Sequence, residues 1–114
     1  MRLQAMKVRV SGKQFEIGAA LPEEVRVRLE AVVSKHFDGG ADANVVFSHD
    51  GPFFRADSTV HLDTGVVMKA EGDGKDAYLA FDSSLDHLEK QLRRYKRKLK
   101  NHHEKKRAPK GQPA

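Results

Sequence analysis

Three short stretches of the chain alternate apolar and polar residues, and a fourth, ANVVFSH, is rich in β-branched and aromatic residues; each pattern predicts a β-strand. These stretches are residues 6–11, 43–49, 54–63 and 66–72. The last two are joined by Asp63-Thr64-Gly65, a combination typical of a tight hairpin turn because glycine tolerates the left-handed backbone that such turns need. The pattern therefore predicts four strands, of which the last two form a hairpin.

Two other segments repeat apolar residues every three or four positions, which predicts amphipathic helices. The first contains Pro22 in its first turn and ends at the glycines of residues 37–40; its apolar positions are Val25, Leu29, Val32, Val33 and Phe37. The second follows a predicted loop at residues 71–76, where Asp76 is suited to cap the helix. Its apolar positions are Phe81, Leu85, Leu88, Leu92, Tyr95 and Leu99. The resulting order, β-α-β-β-β-α, predicts an α+β fold: a four-stranded sheet with both helices packed on one face.

The length and composition favour one soluble, globular domain. The chain has 114 residues, of which 39% are hydrophobic and 32% are charged, and a chain of this length is expected to form a single core. No segment predicts a membrane span, and the first residues lack the apolar region of a signal peptide. The chain has no cysteine, which is compatible with a reducing compartment. We therefore expect a cytoplasmic protein without a membrane partner.

The positive charge of the chain is concentrated in one segment. Residues 89–107, EKQLRRYKRKLKNHHEKKR, contain ten Lys and Arg residues and two acidic residues, a balance of +8. The chain as a whole carries +5, so the remaining residues sum to −3. On the predicted second helix these cations lie away from the apolar stripe. A local cationic face without acids to balance it favours a polyanionic partner, and nucleic acid above all.

The sequence contains no convincing catalytic, cofactor or metal site. Asp63-Thr64-Gly65 matches the triplet of aspartic proteases, but that chemistry needs two carboxylates that share a proton, and a turn explains the triplet better. The histidines are scattered and are expected at the surface, so a zinc site is not predicted. A small hydrolase that uses Asp57, His61 or Asp63 is the alternative from another class. It requires a pocket, where the pattern predicts an exposed strand face.

Three segments resemble the family of ribosome hibernation promoting factors and ribosome-associated inhibitor A proteins, also called sigma-54 modulation proteins. They are SGKQFEIG before the first helix, FRADSTVHL in the third strand, and DAYLAFDSSLDHLEKQLRRYKRKLK in the last helix. The resemblance spans about residues 6–103. The order and spacing of the three segments are more specific to this family than any single motif.

The resemblance implies both a fold and a function. The family fold is β-α-β-β-β-α and is similar in outline to double-stranded RNA-binding domains. Its members are not enzymes and take no cofactor or small-molecule substrate. They bind the small ribosomal subunit, on its 16S ribosomal RNA, where messenger and transfer RNA would sit over the A and P sites. They thereby inhibit translation in starvation or stationary phase, as a stress response.

The resemblance also assigns candidate RNA-binding residues on both helices. The family's arginine on the first helix corresponds to Arg28, with Arg26 and Lys35 as substitutes for a lysine that members often carry where this chain has Ala31 and Val32. The cluster of basic residues on the last helix is denser in this chain, which offsets the missing lysine on the first helix. It comprises Lys90, Arg93, Arg94, Arg97, Lys98 and Lys100.

The family includes short members and long members with a C-terminal domain that pairs two copies. We expect a ribosome-binding domain over residues 1–103, and a flexible basic tail or a shortened linker over residues 104–114. On the second interpretation, a dimerisation domain would be missing from this chain. A generic double-stranded RNA-binding module remains an alternative, and competition between duplex RNA and ribosomes would separate the two.

Overall fold

A computed structural model describes residues 6–13 and 18–107, with side chains as far as residue 98. Its elements are β1 (Met6–Gly12), α1 (Ala20–His36), β2 (Ala41–Asp50), β3 (Phe53–Leu62), β4 (Val67–Gly74) and α2 (Ala77–Arg107). The predicted order β-α-β-β-β-α is thus confirmed. α2 continues four residues beyond the boundary predicted at residue 103.

The four strands form one sheet in the order β1-β2-β3-β4. β1 runs parallel to β2, because α1 carries the chain back across the sheet between them. The other two neighbouring pairs are antiparallel. Side chains alternate between a buried face and an open face along β2, β3 and β4. Both helices cover the same face, as the sequence pattern predicted.

The core lies between that face and the two helices. Its largest buried side chains include Phe47 from β2, Phe81 and Leu88 from α2, and Leu29 from α1. The alternation in β3 also buries a hydroxyl at Ser58. The Ser58 and Ser84 hydroxyls lie 2.9 Å apart, and Ser84 also donates to the carbonyl oxygen of Phe81 at 3.0 Å. These bonds satisfy the two hydroxyls inside the apolar core.

α2 lies directly against the backbone of β4. A Cβ atom added at Gly72 would come within 2.3 Å of the backbone nitrogen of Ser84 and 2.6 Å of the carbonyl oxygen of Ala80. The missing side chain therefore allows the close approach. It also explains one wrong boundary: residues 71–76 were predicted as a loop, but β4 continues to Gly74 underneath the helix.

The first turn of α2 begins at the residue that the sequence predicted. The carboxylate of Asp76 accepts a hydrogen bond from the backbone N–H of Leu79 at 2.9 Å. This is the geometry of an N-cap, which satisfies one of the free N–H groups of a helix start. α1 has no side-chain cap, and its preceding residue is Ala19.

In the described part of the chain, neither helix has the length and apolar composition that crossing a membrane requires.

The triplet Asp63-Thr64-Gly65 forms the β3–β4 turn, as predicted. Gly65 has a φ of 98°, a left-handed backbone that glycine adopts without strain. The Asp63 carboxylate accepts a hydrogen bond from the N–H of Gly40 at 2.8 Å, and the Asp63 N–H donates to the carbonyl oxygen of Gly40 at 2.9 Å. This carboxylate therefore ties the hairpin to the loop that precedes β2.

Substitution of Gly72 by alanine is expected to destabilise the fold strongly, because the new methyl group would meet backbone atoms of α2 that have no room to yield. We expect a loss of about 2 kcal/mol or more in the free energy of unfolding, measured by urea denaturation. Gly65→Ala is the control, since its Cβ would meet nothing within 4 Å and only its positive φ is unfavourable. An equal loss in both variants would show that the close approach is unimportant.

Candidate nucleic-acid interface

The apolar stripe of α2 faces the core and its cations face outward. Phe81, Leu85, Leu88 and Leu92 are buried, and Tyr95 is half-buried against them. The cations from Lys90 to Lys98 are exposed. This separation follows from the spacing of the apolar residues, which occupy one side of the helix and leave the other to solvent.

The acidic residues in the first half of α2 are all in ion pairs. Asp82 contacts the guanidinium group of Arg28, which lies over the ring of Phe81 at 5.4 Å from the ring centre. Asp86 pairs with Lys90 at 3.5 Å, one helical turn further on. Glu89 lies within ion-pair distance of Lys35 and His36 of α1. The first half of α2 therefore neutralises cations of the protein itself.

The candidate cations on α1 are paired in the same way. Arg26 contacts Glu23 at 2.5 Å and Glu30 at 3.4 Å. The hydrogen bond and the negative charge of Glu23, with a smaller effect of Glu30, raise the pKa of the Arg26 guanidinium above its ordinary value. Lys35 lies 3.4 Å from Glu89. Four of the nine candidates, Arg26, Arg28, Lys35 and Lys90, thus have carboxylate partners within the protein.

The second half of α2 is different. Among the α2 side chains that the structure describes, five exposed cations make no ion pair: Arg93, Arg94, Lys96, Arg97 and Lys98. The Lys100 side chain lies outside the described residues. Pairs such as Arg93–Arg97 and Arg94–Lys98 are one helical turn apart, and each such like-charge pair destabilises a helix by about 0.2–0.5 kcal/mol. An anionic partner that approached this surface would relieve that repulsion.

Side-chain contacts with β4 fix the rotation of α2. Gln91 donates its amide hydrogen to the carbonyl oxygen of Lys69 at 2.6 Å, and His87 donates from Nδ1 to that of Glu71 at 2.8 Å. β4 is an edge strand, so the two side chains satisfy carbonyl groups that have no neighbouring strand. They also cover the edge against pairing with another chain.

Tyr95 anchors the helix where it leaves the sheet. Its hydroxyl lies 3.1 Å from the Thr64 hydroxyl, and its ring packs at a tilt on Phe37, with 6.3 Å between ring centres. Tyr95 is the last described apolar side chain of α2 that packs on the core. From here to Arg107 the helix rises a further ~18 Å.

A polar contact joins the two helices. His36 donates from Nε2 to Glu89 at 2.9 Å, with Lys35 also close to the same oxygen. The His36 hydrogen bond lowers the pKa of Glu89 below its ordinary value, partial burial opposes this shift, and Lys35 adds to it. The side chain of His36, at the end of α1, is only 9% exposed because it lies against Glu89 of α2. His49, His61 and His87 are exposed as expected.

The sequence analysis missed several residues that form or position the cationic surface of α2. Lys96 is exposed and has no described ion pair, and the count of basic residues contained it, although no motif singled it out. Gln91 and His87 gave no signal, because their role depends on which strand lies beside the helix. His36 and Glu89 are distant in sequence and meet only through the packing of α1 on α2.

The residues of the alternative hydrolase are spread over the open sheet face and the β3–β4 turn. Asp57 lies on the open sheet face, 3.4 Å from Arg55, and His61 is exposed on the same strand. Asp63 is engaged with Gly40 in the turn. The described part of the chain also holds no group of three or more His, Cys, Asp or Glu residues suited to a metal ion.

Comparison with known proteins shows the family of this chain. The model of the family described as "Sigma 54 modulation protein / S30EA ribosomal protein" matches residues 8–100. The chain belongs to this family, and the resemblance read from its motifs is confirmed.

Individual relatives support the same assignment. The chain is 48% identical over 98 residues to the ribosome hibernation promotion factor of Rhizobium meliloti, a match that covers 86% of this chain and 52% of the relative. It is 33% identical over 97 residues to the ribosome hibernation promoting factor of Escherichia coli K12, covering 85% of this chain and 100% of the relative. The chain thus spans about half the length of the first relative and all of the second.

A solved structure agrees with the fold. The N-terminal domain of Thermus thermophilus Protein Y superposes with a TM-score of 0.69 at 32% identity, over 76% of this chain and 94% of that domain. The α+β fold with two helices on one face of a four-stranded sheet is therefore the fold of this family as well as of this chain.

Glu89→Gln is expected to change how stability depends on pH. The pKa of Glu89 is lowered in the folded state from an ordinary value of 4.5, so its contribution is fully present above that value. It is lost as the pH falls through the lower, folded-state pKa. The difference in free energy of unfolding between the native chain and the variant should therefore shrink on acidification, in denaturation curves recorded from about pH 7 to about pH 2.

His36→Gln tests the cause of that shift, because it removes the imidazole that donates to Glu89. We expect this variant to lose the pH-dependent contribution of Glu89 to the free energy of unfolding, as Glu89→Gln does. A difference between the native chain and either variant that stayed constant over the whole range would contradict this assignment.

Proposed function

We propose that this protein is a ribosome hibernation factor that binds the small ribosomal subunit through the outer surface of α2 and inhibits translation. The relatives' names support the ribosome as partner, the family resemblance suggests its small subunit, and the five α2 cations without a described ion pair offer the means of binding it. On this proposal the protein is a binding protein of the cytoplasm, without a catalytic site, and acts in starvation or stationary phase.

The single observation that carries the proposal is the division of charge along α2. The carboxylates in its first half pair with Lys90 and with Arg28 and Lys35 of α1, and no described carboxylate pairs with the cations from Arg93 to Lys98. Ribosomal RNA presents phosphates at regular intervals, and each Lys or Arg that meets one releases a condensed counterion. Affinity of this kind weakens steeply with salt and reads no base sequence directly.

The cations of α1 contribute less to the proposed contact. Arg26, Arg28 and Lys35 each have a carboxylate partner already. A phosphate that approached Arg28 would compete with Asp82 for it, so part of the attraction would be spent in separating that pair. We place the main contact on Arg93, Arg94, Arg97 and Lys98, with Lys96 and Lys100 beside them and Lys90 at the border.

The shape of the protein favours inhibition by occupation. The helices cover one face of the sheet, and α2 runs for 31 residues, or ~46 Å. A rigid helix that lies along RNA with its cations places the folded body beside that RNA. In the channel of the small subunit, such a body would fill the volume that messenger and transfer RNA need at the A and P sites.

A generic double-stranded RNA-binding module is the second candidate, because shape and phosphate contacts also suffice for duplex RNA. Excess duplex RNA that displaced the protein from ribosomes would favour this candidate. Some family members carry a further domain that pairs two copies. For this chain, such a domain stays a prediction. The domain boundary at residue 103 also stays a prediction.

Reversal of three charges on α2 is expected to abolish ribosome binding. Arg93, Arg94 and Arg97 are exposed and have no described ion pair, so their joint replacement by Glu should leave the fold intact. Co-sedimentation with purified small subunits at low salt measures the effect, and far-ultraviolet circular dichroism checks the fold.

The matched control reverses three charges on the open sheet face. Lys7, Arg9 and Lys69 are exposed there, and their replacement by Glu changes the net charge by the same amount. We expect near-normal co-sedimentation of this control. If both variants lost binding equally, net charge would matter and the α2 surface would not. If neither lost it, the proposed site would be wrong.

Occupation of the tRNA position predicts mutual exclusion. Small subunits preloaded with messenger and initiator tRNA should bind the protein weakly, and added protein should release the tRNA in a gradient sedimentation assay. Simultaneous, undiminished binding of both would show that the protein sits elsewhere on the subunit, even if the α2 variants confirm the contact surface.

A further inference from the structure

The edge of α2 that faces β4 contains a groove in addition to the exposed cations. The groove has a volume of about 490 Å³ and is lined by Met68, Gln91, Arg94, Tyr95, Arg97 and Lys98. This volume falls in the range of about 300–1,000 Å³ that small-molecule sites occupy. It is open on one side, so it suits a group that remains attached to a longer chain.

The floor of the groove is apolar and firmly held. Met68 is buried, with 6% of its surface exposed. Tyr95 is fixed by the Thr64 hydroxyl at 3.1 Å and by the ring of Phe37. A fixed aromatic ring beside a thioether is a surface on which a flat ring stacks without loss of side-chain freedom. Phosphate alone would gain nothing from such a floor.

The rim of the groove is cationic. Arg94, Arg97 and Lys98 are exposed, and none of them makes an ion pair with a described residue. Gln91 adds a neutral acceptor, because its amide nitrogen is bound to the carbonyl of Lys69 and its amide oxygen accepts no hydrogen bond from a described residue. The groove thus combines donors for a phosphate, an acceptor for a base edge and a floor for a ring.

We propose that this groove binds one unstacked nucleotide of single-stranded RNA, with the base on Tyr95 and Met68 and the phosphate on Arg94 and Lys98. Recognition of unpaired RNA commonly uses bases stacked on aromatic side chains. The inference rests on the proposed function, since it supplies a base-stacking contact within the same RNA-binding surface. It adds what phosphate contacts alone lack: a preference for an unpaired nucleotide at one position.

A titration of the chain with adenosine 5′-monophosphate tests the inference, with ribose 5-phosphate as the matched probe without a base. Nitrogen–proton correlation spectra follow the amides of residues 91–98 and of Met68. We expect the nucleotide to bind at least about fivefold more tightly than ribose 5-phosphate, because a stacked base adds to the phosphate contact. Equal affinity for the two probes, or shifts at other residues, would overturn the inference.

The variant Arg94→Ala with Lys98→Ala should weaken nucleotide binding at least about fivefold. Its control is Lys7→Ala with Arg9→Ala, which removes two charges from the open sheet face. Equal losses in the two variants would show a general charge effect and would overturn the inference. Ribosome co-sedimentation of the native chain is recorded in parallel. Normal ribosome binding without nucleotide selectivity would reject the groove alone, whereas loss of ribosome binding would reject the proposed function itself.

Discussion

The contact between α2 and β4 determines which side of the long helix meets solvent. Gly72 lets the helix backbone come within van der Waals distance of the strand, and the Ser58–Ser84 pair holds it there inside the core. Gln91 and His87 then bind carbonyl groups along the strand edge. A rotation of α2 by one residue position, about 100°, would bury cations and expose leucines. The position of every cation on the outer surface therefore depends on this contact.

Ion pairing divides the basic residues into two groups with different roles. Arg28 and Lys35 of α1 meet Asp82 and Glu89 and help to hold the two helices together, and Lys90 meets Asp86 within α2. Exposed pairs of this kind contribute little to stability, but they remove the local excess of positive charge. From Arg93 to Lys98 the helix has no acidic residue, so the cations of this stretch keep their full attraction for an external anion. The helix thus changes from a structural element to a binding element along its length.

The sequence predicted the elements well because their apolar spacing is regular and each stripe had one way to be buried. The cap at Asp76 and the turn at Asp63 followed from local chemistry in the same way. The ion pairs of the α1 residues could not be predicted from sequence alone: Arg28 meets Asp82, and Lys35 and His36 meet Glu89, across more than fifty residues of chain. The extent of β4 was missed because glycines suggest a loop until a helix is known to lie on them. Which of the basic residues bind RNA is a matter for the experiments on α2.

The uneven distribution of charge along α2 also has a kinetic consequence. The carboxylates of its first half lie in ion pairs, the cations from Arg93 to Lys98 do not, and the middles of the two groups, near Asp86 and Lys96, are ~15 Å apart along the axis. Such a separation gives the molecule an electric dipole moment. In the field of a large polyanion the protein would turn during diffusion, so that the cationic end of α2 leads and its neutralised end trails. Collisions would then be pre-aligned, and the association rate would respond to ionic strength even before any contact forms.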